Sequence, residues 1–307
     1  MFVALLRNNK SNKFYFFLMP RKPKQGYINY KFRKFDLRKI TRDSRCVFIG
    51  KSGSGKTVLL TDVMYQHRDI PSGICITATQ DGREAFAKNI PEMYIFSDYD
   101  KNIIQAIIDK QEKSIEIKGK KDTPNTFIIM DDCLYDGGTW SKDPQMKWIF
   151  FNSRHDKILF LLTMQYPLGL TSNFRTNIDY TFILRENNLM NRERIFKNFA
   201  GMFPSFDVFC HVMDNCTSNY ECLVIDNRTI SNEIEDQVFW YKAELHEDFK
   251  VGSPSYWNTH YKYFKKTSKF GTKPEDTYHY NEQHEDQVYH QHELEEDPDI
   301  KKISYNR

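Results

Sequence analysis

A mostly parallel α/β sheet flanked by helices is the fold class this sequence predicts, and three observations carry that expectation. Between residues 46 and 245, short apolar, β-branched runs alternate with longer amphipathic stretches, the order in which strands and crossover helices follow one another in a parallel sheet. Several of these runs are apolar throughout rather than at every second position, as strands covered on both faces must be. The stretch "GKSGSGKT", residues 50–57, directly follows the apolar run "CVFI". Glycine weakens both helix and strand because its backbone loses most entropy on ordering, so this is a loop with a particular task.

In chain order the expected strands are "RCVFIG", "GICITAT", "MYIFS", "TFIIMDD", "KILFLLTMQ", "DYTFILR", "ECLVID" and "VFWYKA". The expected helices are "GKTVLLTDVMYQHR" after the glycine loop, "NIIQAIIDKQEKSIEI", "PQMKWIFFNSRH" and "NRERIFKNFAGMF". Past residue 245 the pattern dissolves. "SPSYWNTHYKYFKKTSKFGTK" mixes basic and aromatic residues, an acidic His-rich stretch follows at 275–299, and few aliphatic side chains remain to offset chain entropy. The expected organisation is a basic N-terminal extension over 1–34, a nucleotide-binding domain over 35–245, and a flexible, disordered tail over 246–307, basic and aromatic at first and then acidic.

Composition agrees with one substantial core. The 307 residues allow two domains of about 150 residues or one larger unit with tails; hydrophobic residues make up 40% and aromatics 15%, enough for that core. A net charge of +3 is too small to diagnose a partner, but Lys and Arg crowd residues 1–45 while acids crowd 275–299. No apolar run approaches the roughly 20 residues that a bilayer-spanning helix needs. The opening "MFVALLRNNKSNKFYFFLM" is split by lysine and asparagine and lacks a small-residue cleavage site; Met19 offers a more ordinary start, and the residues before it are expected to be dispensable. Of six cysteines none forms a CxxC pair. Cys46, Cys75 and Cys133 lie in or beside β-like runs as small buried hydrophobes. Cys210, Cys216 and Cys222 beside His211 admit a metal reading, but structural zinc uses short knuckles, and reduced thiols are the expectation.

The glycine loop has the spacing G-x-x-x-x-G-K-T between a strand and a helix, the P-loop arrangement. Its backbone N–H groups, from Gly50, Ser52, Gly53, Ser54 and Gly55 onward, turn inward around a phosphate, and the helix points its positive end at the same anion. Lys56 is expected on the β- and γ-phosphates and the Thr57 hydroxyl on Mg²⁺. In "TFIIMDD" an apolar strand delivers Asp131 to its carboxyl end, where a carboxylate can hold the Mg²⁺ water shell. Asp132 follows as a candidate general base for the attacking water. A strand running into a solvated turn explains such acids taken alone; the P-loop upstream favours the functional reading. "KILFLLTMQYP" is long and apolar, so it belongs centrally, next to the P-loop strand. Its Gln165 is either a hydrolysis sensor or a capped strand end. No N-K-x-D guanine-reading motif occurs, so ATP is the expected nucleotide.

With those residues in place, the chain resembles the genome-packaging ATPases of nucleocytoplasmic large DNA viruses, the poxvirus-type branch of the FtsK-HerA superfamily. The resemblance runs from about Phe35 to Glu244 and rests on "FIGKSGSGKT", "ICITATQDG", "FIIMDDC", "FNSRHDKILFLLTMQYPLGL", "FRTNIDYTFILRE" and "FWYKAE". It implies a RecA-like core, a ring oligomer, commonly a hexamer, and ATP-driven movement of double-stranded DNA into a capsid at the host's cytoplasmic assembly site. By position it implies Walker A roles for Lys56 and Thr57, a Mg²⁺ aspartate in Asp131, a catalytic acid in Asp132 and a sensor in Gln165. A positive charge from the neighbouring subunit is expected of such rings. Arg175 is the candidate and Arg154 the alternative, each against the plainer reading of a surface ion pair. DNA phosphates would be gripped by the N-terminal basic stretch or by "YKYFKKTSKF", and the acidic tail would compete for those lysines or dock on a capsid or portal-vertex protein. Two rival readings remain: a nucleotide-gated assembly scaffold, and a small-molecule kinase, whose arginine-rich lid is not evident.

Overall fold

The computed structural model describes residues 3–7, 14–18, 27–133, 142–166, 169–264 and 300–306. The expected acidic stretch at 275–299, the lysines of "KKTSK" and the basic run at 20–26 lie outside the described residues. In chain order the elements are β1 (Val3–Arg7), β2 (Phe14–Leu18), β3 (Tyr27–Arg33), β4 (Arg45–Ile49), α1 (Lys56–Gln66), β5 (Ser72–Thr77), α2 (Gln80–Ala87), β6 (Ile95–Phe96), α3 (Lys101–Lys118), β7 (Thr126–Asp131), α4 (Pro144–Asn152), β8 (Ile158–Met164), α5 (Ser172–Arg175), β9 (Tyr180–Ile183), α6 (Leu189–Phe199), α7 (Phe206–Cys216), β10 (Glu221–Asp226), α8 (Ile234–Gln237), β11 (Val238–Lys242), α9 (Pro254–Tyr263) and β12 (Ile300–Asn306).

An 8-stranded sheet runs in the order β11-β10-β9-β4-β8-β7-β5-β6. From β9 to β6 every neighbouring pair is parallel, and β10 and β11 close one side as antiparallel strands. The fold class is therefore the expected one, with β8 lying directly between the P-loop strand β4 and the Asp131 strand β7. Both faces are covered, which is why the strands read as unbroken apolar runs. On one face Val47, Ile128, Met130, Phe160 and Leu162 pack with Ile104 of α3, Phe150 of α4, Ile195 of α6 and Val212 of α7. On the other, Cys46, Phe48, Ile129 and Leu161 pack with Leu59, Leu60 and Val63 of α1 and with Phe86 of α2. Each such fully buried side chain contributes about 1.5–3 kcal/mol relative to exposure.

The body reaches past the expected boundaries at 35 and 245. Strand β3 pairs antiparallel with β12, Arg33 opposite Ile300 and Tyr27 opposite Asn306, and Phe32 is buried in the main core. Within the segment expected to be a flexible tail from residue 246, two described stretches, α9 and β12, are placed against the body. Asn89 donates to Phe249 O at 2.9 Å, Val251 is buried, and Tyr256 of α9 is buried with its hydroxyl on Gly73 O at 2.6 Å. The β3–β12 pairing joins chain ends far apart in sequence, and such non-local pairing leaves no periodic trace in either segment alone.

Candidate nucleotide site

Strand register assembles the site. Ile49 lies opposite Met164, Met130 opposite Leu162 and Thr77 opposite Asp131, so the glycine loop, Asp131, Thr163 and Gln165 meet at one edge of the sheet. Ligands of open parallel sheets bind outside the carboxyl ends of the strands, which is this edge.

The loop leaves β4 through Gly50, whose N–H donates to Met164 O at 3.0 Å. A β-carbon at Gly50 would stand 2.6 Å from Ser54 Oγ and 2.9 Å from Leu184 Cβ, so no larger residue fits. Gly53 and Gly55 have φ of 72° and 96°, a region that disfavours side chains. Ser54 is buried and donates from Oγ to Lys51 O at 2.7 Å; Ser52 is exposed at the tip. The first backbone bond of α1 runs from Leu59 N–H to Gly55 O at 3.0 Å. The N–H groups ahead of it have no partner within the helix, as at any helix start, and suit an anion.

Lys56 is only 5% exposed. Its Nζ donates to Gly50 O at 2.9 Å and Lys51 O at 3.3 Å and lies 3.4 Å from Asp132 Oδ2. Asp131 is likewise buried, its Oδ1 accepting from Thr163 Oγ1 at 2.7 Å and its Oδ2 from Thr77 Oγ1 at 3.3 Å. Burial pushes its carboxyl above the usual aspartate value, against the pull of the Thr163 hydroxyl. At Asp132 the backbone turns into the left-handed region, φ 49°, which aspartate tolerates better than most residues. That turn aims its carboxylate at the loop. Its N–H donates to Thr163 Oγ1 at 2.9 Å, its Oδ2 accepts from Gln165 Nε2 at 3.2 Å, and its Oδ1 is buried with no hydrogen-bond partner among the described residues.

The sequence-predicted residues Gly50, Lys56, Asp131, Asp132 and Gln165 thus converge, and Thr57 lies in the first turn of α1 at the same edge. Arg175 lies outside the cluster: it donates to Leu170 O, and its guanidinium faces the Phe199 ring at 6.0 Å. Arg154 is paired with buried Asp179, which also holds Arg45 at the start of β4. That places Arg154 at the opposite edge of the sheet. Three participants escaped the sequence reading. Thr163 bridges the two acids, and its only signal is a hydroxyl in an otherwise apolar run. Thr77 supports Asp131. Gly82, in the first turn of α2, has no room for a β-carbon, which would stand 2.3 Å from Thr77 Oγ1 and 3.2 Å from Asp131 Oδ2.

A divalent cation fits this donor set. A buried carboxylate with a raised pKa and a second one with an orphaned oxygen are both relieved by nearby positive charge. Among the described residues no three His, Cys, Asp or Glu side chains form a cage for a metal. Mg²⁺ needs none, since it keeps waters and shares phosphate oxygens. No described helix is long and apolar enough to cross a membrane.

Residues 30–244 match the model of the family described as Poxvirus A32 protein. The chain is 38% identical over 246 residues to the uncharacterized protein L437 of Acanthamoeba polyphaga mimivirus, spanning 78% of this chain and 86% of that protein. It is 36% identical over 218 residues to protein 088R of Invertebrate iridescent virus 3, spanning 69% and 82%. Among solved structures, the genome packaging NTPase B204 from Sulfolobus turreted icosahedral virus 2 in complex with ATP-gammaS aligns with a TM-score of 0.44 at 16% identity. That alignment spans 67% of this chain and 100% of that one.

Proposed function

The chain belongs to the poxvirus A32 protein family, and from that premise we propose that it is an ATP-hydrolysing, Mg²⁺-dependent motor that moves double-stranded DNA into a viral capsid. The observation that supports this reading most is the convergence of Lys56, Asp131, Thr163, Asp132 and Gln165 on a glycine loop at the carboxyl edge of a parallel sheet. A nucleotide-gated scaffold would have no use for Asp132, a second carboxylate whose Oδ2 faces the loop lysine while its Oδ1 has no hydrogen-bond partner among the described residues.

In this mechanism the loop N–H groups hold the phosphates, and Lys56 leaves its carbonyl partners to neutralise the β- and γ-oxygens. Thr57 and, through water, Asp131 would hold Mg²⁺, which when bound neutralises charge on those phosphates. Asp132 Oδ1 accepts the proton of the attacking water, while Gln165 holds Oδ2 in place and senses the γ-phosphate. Arg175 of an adjacent copy would supply the charge that completes the site in a ring oligomer, commonly a hexamer. The N-terminal basic stretch and the lysines interleaved with aromatic rings in "YKYFKKTSKF", such as Lys262 at 5.0 Å from the Tyr263 ring centroid, are suited to grip phosphates without reading bases. The working place is the site of virion assembly in the host cytoplasm, with a capsid or portal-vertex protein as the docking partner. The ATPase unit is 35–245, with β3, α9 and β12 packed on it from outside those bounds.

The deciding experiment is a steady-state ATPase assay with and without linear duplex DNA over a range of salt. DNA stimulation that fades steeply as salt rises supports a phosphate-gripping motor. ATP turnover that ignores DNA at every salt concentration rejects it.

A further inference from the structure

The connection from α7 to β10 turns through Asn219 and Tyr220, whose φ angles are 50° and 61°. Glu221 N–H closes the turn on Ser218 O at 2.9 Å. Two successive residues in the left-handed region within such a closed turn form the I′ arrangement, the domain of glycine and asparagine. Asn219 suits it. A tyrosine at the second position is a genuine outlier, and burial does not compensate, because Tyr220 is 70% exposed. Strain without compensating packing points to a contact made outside the chain.

What the turn achieves is placement. A β-carbon at Gly55 would lie 3.4 Å from Tyr220 Cδ1 and 3.9 Å from Leu184 Cδ2, so the tyrosine ring stands directly against the last glycine of the loop. Leu184 also backs Gly50. Both residues stand on the β9–β10 side of β4, whereas Asp131 and Thr163 stand on the β8–β7 side. A triphosphate whose γ-group faces the acids must therefore lead its nucleoside toward Tyr220.

We infer that Tyr220 is the platform on which the base of the bound nucleoside triphosphate stacks. This rests on the nucleotide reading given above and adds to it the residue that grips the nucleoside end. Stacking one base on one aromatic ring is worth about ten- to a hundredfold in affinity.

The test uses the full chain and isothermal titration with Mg²⁺ plus either ATP or inorganic tripolyphosphate, which has the phosphates and no base. Tyr220→Gly removes the ring and suits the turn, so it should melt no lower than the parent, bind ATP at least about tenfold more weakly, and bind tripolyphosphate as the parent does. Tyr220→Phe should keep the parent's ATP affinity. If Tyr220→Gly binds ATP as tightly as the parent while Lys56→Ala does not bind it, the platform is wrong and the nucleotide reading stands. Equal losses for ATP and tripolyphosphate also overturn the platform. A parent that binds neither ligand brings down both.

Discussion

Asp132 Oδ2 and Lys56 Nζ lie 3.4 Å apart, tying the carboxyl end of β7 to the loop that ends β4. The lysine also donates to two loop carbonyls, so an incoming phosphate has to replace a set of contacts already satisfied. Asp132 then loses its cation to the nucleotide, which leaves a carboxylate free to take a proton. Asp132→Asn should bind ATP with near-parent affinity and hydrolyse it at least about a hundredfold more slowly, the usual scale for a missing general base. Filter binding and a phosphate-release assay on the same preparation check this; a variant that turns over at the parent's rate sinks the assignment.

Lys56→Ala should behave in the opposite way. The ammonium is the buried positive charge closest to the phosphate cradle, and its removal also leaves Asp132 Oδ2 with Gln165 alone. Binding of Mg-ATP should become undetectable by titration calorimetry at protein concentrations that saturate the parent.

Thr163 holds both acids at once, donating to Asp131 Oδ1 at 2.7 Å and accepting from Asp132 N–H at 2.9 Å. Thr163→Val keeps the shape and leaves a buried carboxylate oxygen and a backbone N–H unpaired. The expected loss is about 1–3 kcal/mol of stability, with turnover falling further than nucleotide affinity because the two acids are no longer fixed relative to each other. Thr163→Ser should restore turnover. Urea unfolding and kinetics on the two variants distinguish this from a general loss of fold.

The parts of this site that a reader of the sequence can find are those whose chemistry is local. "GKSGSGKT" announces its loop because three glycines between a strand and a helix serve no other purpose, and "FIIMDD" announces its acids because charge ends an apolar run. Even the neighbour relation of β8 and β4 follows from the uniform burial of "ILFLLTM". Thr163 and Thr77 do not announce themselves, since a threonine in a strand is ordinary and only the register of β5, β7 and β8 brings them to Asp131. The same holds for α9 and for β12 pairing with β3. Their segments look polar and aperiodic, and their partners lie far away in the chain.

Asp131 carries a cost that shows in pH dependence. Its folded pKa stands above the unfolded value because burial disfavours the ionised form. For a group shifted in this direction the unfolded state ionises more readily. Asp131's contribution to stability is therefore most favourable below the unfolded value near 3.8 and declines as pH rises through the folded pKa. Asp131→Asn should remove that decline. At neutral pH and without nucleotide it should melt higher than the parent, yet it should lose Mg²⁺-dependent ATP hydrolysis. Thermal melts of both proteins across pH, with and without Mg-ATP, test the pair of outcomes, and a variant that melts lower at neutral pH refutes the account.

His67 gives the opposite dependence at the other end of α1. It follows the helix that begins at the glycine loop, is 5% exposed, and has a ring Nε2 without a hydrogen-bond partner among the described residues. Burial, helped by the Arg42 charge, lowers its pKa from 6.5 to about 4, with Asp69 pulling weakly the other way. Between those values the unfolded chain binds the proton that the folded chain refuses, so His67's contribution to stability is fully present above about pH 6.5 and is lost as pH drops toward 4. A shift of this size corresponds to about 3 kcal/mol across the window. His67→Leu should flatten the pH dependence of the urea midpoint between those limits. A variant whose midpoint falls as steeply as the parent's places the proton uptake on another group.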